Sequence, residues 1–196
     1  MRDLWGRIER RLADAAPQLL ADLRPPVPDA DLQGLRHSAG TSLPDEMVGS
    51  FQVHDGQFGR ATQLFGSYQL YPLGHATRVL GILRSRTCSP YENGESLMQR
   101  IPSIRWSEDW IPIAGNGIGQ YYCVDQNPGK LGMPGQIIRV DSAGPMREWI
   151  ATGMRAWLED FTARLEDGRV VFDPRWGLTD AGTRDGRFCA DWGIRE

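Results

Sequence analysis

The chain is poor in several residues that carry well-known kinds of chemistry. Lys130 is its only lysine, and no block of Lys or Arg occurs anywhere in its 196 residues. Nucleic-acid binding through counterion release needs a clustered basic face, and a formal charge of −3 has the wrong sign for one. The excess of arginine over lysine reads as a bias in codon usage and says nothing about partners. Cys88, Cys123 and Cys189 are odd in number, far apart and form no C-x-x-C pair, so neither a disulfide framework nor a zinc site is expected. A reducing compartment fits that pattern. His37, His54 and His75 make no H-x-x-x-H or H-E-x-x-H spacing, and no metal or other cofactor is expected. No apolar run approaches the roughly 18 residues of a spanning helix, and the opening Met1-Arg2-Asp3 turns polar at once, without the apolar core of a secretion signal. The expectation is a cytoplasmic protein that does not enter the membrane.

What the chain does have is a core. Apolar residues make up 40% of it and seven are tryptophan, enough to offset the entropy of ordering one domain. Leu4, Trp5, Ile8, Leu12 and Ala15/Ala16 recur at three- and four-residue spacing, which predicts an amphipathic helix ending near Pro17, with Asp3 as a cap. Arg24-Pro25-Pro26-Val27-Pro28 is a stiff extended connector. Asp29 or Asp31 then caps a short helix through Leu32 and Leu35, stopped by Gly40. Leu43-Pro44-Asp45-Glu46 opens another, with Met47, Val48, Phe51 and His54 inward and Asp55-Gly56 as its end.

Tyr68 to Leu73 is rich in strand formers, and Thr77 to Arg86 carries a helical stripe of Val79, Leu80, Ile82 and Leu83. Thr87 to Arg105 has turn chemistry and weak periodicity and reads as a long irregular loop. Trp110 to Ala114, Gln120 to Asp125 and Gly135 to Asp141 are β-rich runs separated by Gly, Asn and Pro, the pattern of an antiparallel meander. Thr152 is positioned to cap a final helix with Met154, Trp157, Leu158, Phe161 and Leu165 on one face and Gly168 at its end. The fold class expected is α+β, one domain with a mixed, largely antiparallel sheet packed by helices. The domain spans residues 1–173. Residues 174–196 form a C-terminal extension, docked in part through Trp176, Phe188 and Trp192.

Candidate chemistry is thin. Gly115-x-Gly117-x-Gly119 precedes a strand, whereas a phosphate-binding loop must open a helix. It is a turn with positive φ. His54-Asp55 has the composition of a base and its orienting carboxylate, yet no nucleophile motif accompanies it, and helix termination explains it better. Glu108-Asp109 with Asp125 has the composition of an acid pair for glycoside hydrolysis, although solvated loop and strand-end charges account for these residues. Cys123 alternates within a strand and reads as a small buried hydrophobe. No catalytic residue is assigned.

Several segments, in order, resemble the SUKH superfamily, which includes the fungal cell-wall-assembly regulators and many bacterial proteins encoded beside toxins. Leu4-Trp5-Gly6-Arg7-Ile8-Glu9 is similar to its first helix, followed by Pro25-Pro26 and a short helix. Leu43-Pro44-Asp45-Glu46-Met47 to His54-Asp55-Gly56-Gln57 resembles its L-P-x-x-apolar segment, and Leu70-Tyr71-Pro72-Leu73 the strand entering the next helix. Trp110-Ile111-Pro112-Ile113-Ala114, Gly115-Asn116-Gly117, Tyr121-Tyr122-Cys123-Val124-Asp125 and Gly135-Gln136-Ile137-Ile138 resemble its core, and Trp157-Leu158 with Phe161 its last helix. The resemblance spans roughly residues 1–173. Ile118-Gly119-Gln120 departs from it, since the family commonly has an acidic residue there.

The resemblance implies a protein that works by binding another protein. An immunity protein neutralising a cognate toxin in a bacterial cytoplasm is the first expectation, a regulatory or scaffold protein with a signalling or cell-envelope partner the second, and an enzyme a remote third. Trp5, Trp110 and Trp157 lie on apolar faces and are expected in the core. The loop bearing Tyr91, Glu92, Asn93 and Glu95 is the expected contact region, together with Trp106 and Trp192, whose surroundings are rich in turns.

Overall fold

The first helix, α1 (Arg2–Ala15), forms where the periodicity predicts it and buries Leu4, Trp5, Ile8 and Leu12. A computed structural model describes residues 1–32, 43–85, 100–104, 106–144, 146–175 and 177–182. Ala16, at φ −152° and ψ 61°, breaks the helix, and a second one, α2 (Pro17–Asp22), starts at once. The sequence reading ends at Pro17, but a proline at the first helical position loses no hydrogen bond, so the chain turns there and stays helical.

The proline-rich connector is extended as expected and is tied to residues 55–57. Arg24 N–H donates to the Gly56 carbonyl at 2.9 Å, Asp55 N–H to that of Pro25 at 3.2 Å, and Val27 N–H to that of Phe51 at 3.0 Å. The next helix, α3 (Asp45–Phe51), turns Met47, Val48, Ser50 and Phe51 inward, and Trp5 Nε1 donates to Ser50 Oγ at 2.9 Å. Gly56 has φ 70°, and a Cβ there would lie 2.4 Å from the Pro72 backbone nitrogen. Only glycine fits that crossing.

Strand formation after Tyr68 is shorter than expected. Only β1 (Gln69–Leu70) pairs, because Pro72 and the Asp55 carboxylate start the following helix, α4 (Leu73–Arg84), four residues early. The meander follows as β2 (Trp110–Gly115), β3 (Gln120–Asp125), β4 (Gln136–Asp141) and an unexpected β5 (Arg147–Ala151). The sheet order is β1-β2-β3-β4-β5, and each pairing is antiparallel. Helix α5 (Met154–Glu166) returns across the sheet. A hairpin of β6 (Val170–Asp173) and β7 (Gly177–Asp180) then closes beside it. β7 lies beyond residue 173, and Leu178 enters the main core at 1% exposure.

Register divides the sheet into two buried faces. Ile111, Val124, Ile137 and Tyr122 face α1, α3 and α5 in the larger core, where Phe65 packs on Trp157 and Phe161 at 4.3 and 4.9 Å between ring centroids. Cys123, Ile138 and Val140 face the other way and pack with Leu83 of α4, Ile101, Trp106 and Trp110. The architecture is one α+β domain with an antiparallel sheet covered on both sides. Among the described residues no helix is long and apolar enough to cross a membrane.

Candidate partner-binding surface

Five of the six expected contact residues, Tyr91, Glu92, Asn93, Glu95 and Trp192, lie outside the described residues. The sixth, Trp106, is 2% exposed. Its ring meets Trp110 edge-on at 5.5 Å and Tyr121 at 6.1 Å. The turn-rich sequence around it folds over the smaller core, so the ring packs inward and presents no contact surface here. Trp5, Trp110 and Trp157 are core, as expected.

The segments that flank residues 86–99 are firmly held. Arg84 donates through Nε and Nη2 to the Glu108 carbonyl at 3.2 and 3.1 Å. The Arg100 carbonyl accepts from Gln136 Nε2 at 2.8 Å and from Gly129 N–H at 2.9 Å, and the Arg100 guanidinium lies 4.8 Å from the Trp149 ring centroid.

Of the ionisable groups singled out in the sequence, His54, Asp55 and Asp125 are engaged structurally, and His37 lies outside the described residues. His54 donates from Nδ1 to the Arg24 carbonyl at 2.9 Å, and its Nε2 lies 2.7 Å from Glu9 Oε1. Asp55 does not orient His54. It accepts from Arg24 Nε at 3.1 Å and, with its other oxygen, from Leu73 N–H at 2.7 Å, capping α4 from another part of the chain. Gly117 and Gly119 take φ 78° and 98°, and Asn116 Oδ1 accepts from Ile118 and Gln120 N–H, so the glycine motif is a turn.

Asp125 requires a correction, since it is not a solvated strand-end charge. It is fully buried, accepting from Gln136 Nε2 at 2.9 Å and from Asn127 N–H at 3.1 Å. Burial pushes its carboxyl up to about 6. Asn127 also donates to Asp109 at 3.1 Å. The Asp125 carboxylate thus holds the base of the β3–β4 turn together. Burial likewise pushes the Cys123 thiol up, away from the thiolate a nucleophile needs. Among the described residues no group of three or more His, Cys, Asp or Glu side chains is placed to hold a metal.

One feature had no sequence signal of its own. A groove of about 750 Å³ runs between the connector and the first half of α4, lined by Arg24, Val27, Asp31, Leu73, His75 and Arg78 among others. At one side of it Phe58 is 41% exposed, with the Arg24 and Arg60 guanidinium carbons 5.0 and 4.7 Å from its ring centroid. Burial, with the nearby Arg78 charge, pushes the His75 imidazole below its ordinary range. The groove offers guanidinium groups and an apolar floor, and the exposed Phe58 ring lies beyond Arg24, outside the lining, a composition that suits protein contact.

Residues 26–160 carry the sequence pattern of the SMI1 / KNR4 family (SUKH-1). The chain belongs to that family. The match begins in the connector, includes the five-stranded sheet and reaches into α5. SMI1 / KNR4 domains act in protein–protein interactions, and the lining residues of the groove described above lie inside the match apart from Arg24. No curated protein matches the chain.

Proposed function

We propose that this protein is a non-catalytic binding domain, specifically a bacterial immunity protein that neutralises a cognate toxin in the cytoplasm by direct, specific contact. The observation that carries the reading is the SMI1 / KNR4 match over residues 26–160. The engaged state of His54, Asp55, Asp125 and Cys123 supports it, because each has a structural role that needs no substrate. Neutralisation then works by occlusion. Aromatic and arginine anchors fix the interface, and charge placement selects the partner.

The test is affinity capture with the full chain, followed by co-expression of the captured partner. The expected outcome is one stoichiometric partner with a toxin domain, which arrests growth alone and is silent when this chain is co-expressed. Capture of a signalling or cell-envelope protein without toxicity replaces immunity with the regulatory role. Failure to capture any protein overturns the binding reading itself.

A further inference from the structure

A cleft of about 150 Å³ opens between the C-terminal half of α1 and the β6–β7 hairpin, lined by Leu12, Ala15, Leu165, Val170, Phe172 and Leu178 among others. Its one charged lining residue, Arg11, is turned onto the main chain. There Nε and Nη2 donate to the Leu165 carbonyl at 3.3 and 3.1 Å, and Nη2 also to that of Glu166 at 3.4 Å. The walls are therefore apolar, and part of them is open to solvent, since Ala15 is exposed and Val171 is 41% exposed. Water finds few hydrogen-bonding partners in such a space, and an apolar cavity of this size accepts a benzene ring.

The chain itself carries a ring of that size close by. Asp180 pairs with Val170, and Ala181 N–H donates to the Arg169 carbonyl at 2.8 Å, so the chain leaves β7 beside Gly168 and Val170, two residues of the cleft lining. Residues 183–196 lie outside the described residues. Their large apolar side chains are Phe188, Trp192 and Ile194. Phe188 is six residues beyond Gly182, a stretch that spans up to about 20 Å when extended, which allows the chain to turn back across the cleft. Tethering at that distance presents Phe188 to the cleft at an effective concentration on the order of millimolar, which favours it over a second copy of the chain or a separate protein. The phenyl group matches the space, whereas the indole of Trp192 is larger.

We propose that the cleft between α1 and the β6–β7 hairpin is the seat of residues 183–196 of the same chain, with the Phe188 ring inserted in it. The docked segment straps the hairpin to α1 and closes this surface to partners, whichever protein the domain binds elsewhere.

The test links the two places covalently in the full chain. Cys123 is buried and its thiol is pushed up, so in a Cys88→Ser background Cys189, next to Phe188, is the reactive native thiol. Ala15→Cys adds a second thiol at the rim of the cleft, and Met133→Cys, at a position 58% exposed, adds one on the β3–β4 turn. That turn lies near the start of α5, where the Gly135 carbonyl is 4.0 Å from the place of a Cβ on Gly153, so the length of the helix, about 20 Å, separates it from the cleft. A short bismaleimide is expected to give at least about tenfold more intramolecular cross-link with Ala15→Cys than with Met133→Cys, and Phe188→Asp to remove that preference. In the otherwise unaltered chain, Phe188→Asp is expected to lower the melting temperature by roughly 3–6 °C while the far-ultraviolet circular dichroism stays that of the folded protein. Equal cross-linking at the two positions, or a Phe188→Asp chain that cross-links and melts as the wild type, overturns the proposal. A cross-linked product of twice the chain's mass assigns the cleft to a second copy and overturns it as well.

Discussion

Asp125 shows how much one buried polar atom can decide. Its carboxyl titrates near 6 because it lies inside the sheet, while an unfolded chain releases the same proton near pH 4. Between these values the folded state holds a proton that the unfolded state has lost, so this residue's contribution to stability falls as pH rises from about 4 to about 6. Relative to Asp125→Asn, the wild type loses about 3 kcal/mol across that window. Urea unfolding of both chains at a series of pH values reads the difference, and parallel profiles would refute the assignment. The buried polar residues Asp22, Gln57, Asp125 and Gln136 had no pattern that gave them away. A polar residue in a short sequence run looks solvated until the partners that accept or donate to it from other segments are in place.

At the scale of elements, legibility followed the strength of local pattern. α1, α5 and β2 to β4 each carry a clean apolar period or a β-rich run bounded by glycine and asparagine. β5 does not, because it opens with Arg147 and Glu148. Arg147 is nonetheless buried, its Nη1 donating to the carbonyls of Asp141, Gly144 and Met146 at 2.8, 3.2 and 2.6 Å, and Glu148 pairs with Arg139 on β4. Caps were misread for a related reason. Thr152 is the natural sequence cap for α5, yet Gly153 occupies the cap position, and Glu46 of α3 accepts from Arg155 N–H at 3.0 Å. Glu46→Ala is therefore expected to destabilise the protein by about 1 kcal/mol and Thr152→Ala to have little effect, measured as shifts in the urea midpoint. The reverse ranking returns the cap to Thr152. The candidate site divided in the same way. The groove is assembled from the connector, Asp55 and α4, and no one of those segments displays it alone.

At the scale of the whole molecule, the β6–β7 hairpin behaves as part of the domain. Leu178 is buried among residues of the main core, so Leu178→Ala is expected to cost about 3 kcal/mol and to lower one shared unfolding transition. Fluorescence, dominated by tryptophan, and far-ultraviolet circular dichroism should report the same midpoint. A separate early transition in the variant would make the hairpin an independent appendage.

The packing of α1 has a consequence for how the chain is made. Trp5, Ile8 and Leu12 share one core with α2, α3 and α5, and α5, which covers part of their face, comes last of the three in the chain. At about 5–20 residues per second, that cover arrives roughly 10–30 s after α1 itself. A ribosome translating this message exposes the part of the α1 face that α5 covers until α5 emerges, which makes that face a natural ligand for chaperones that bind growing polypeptides and places its final docking after the synthesis of α5.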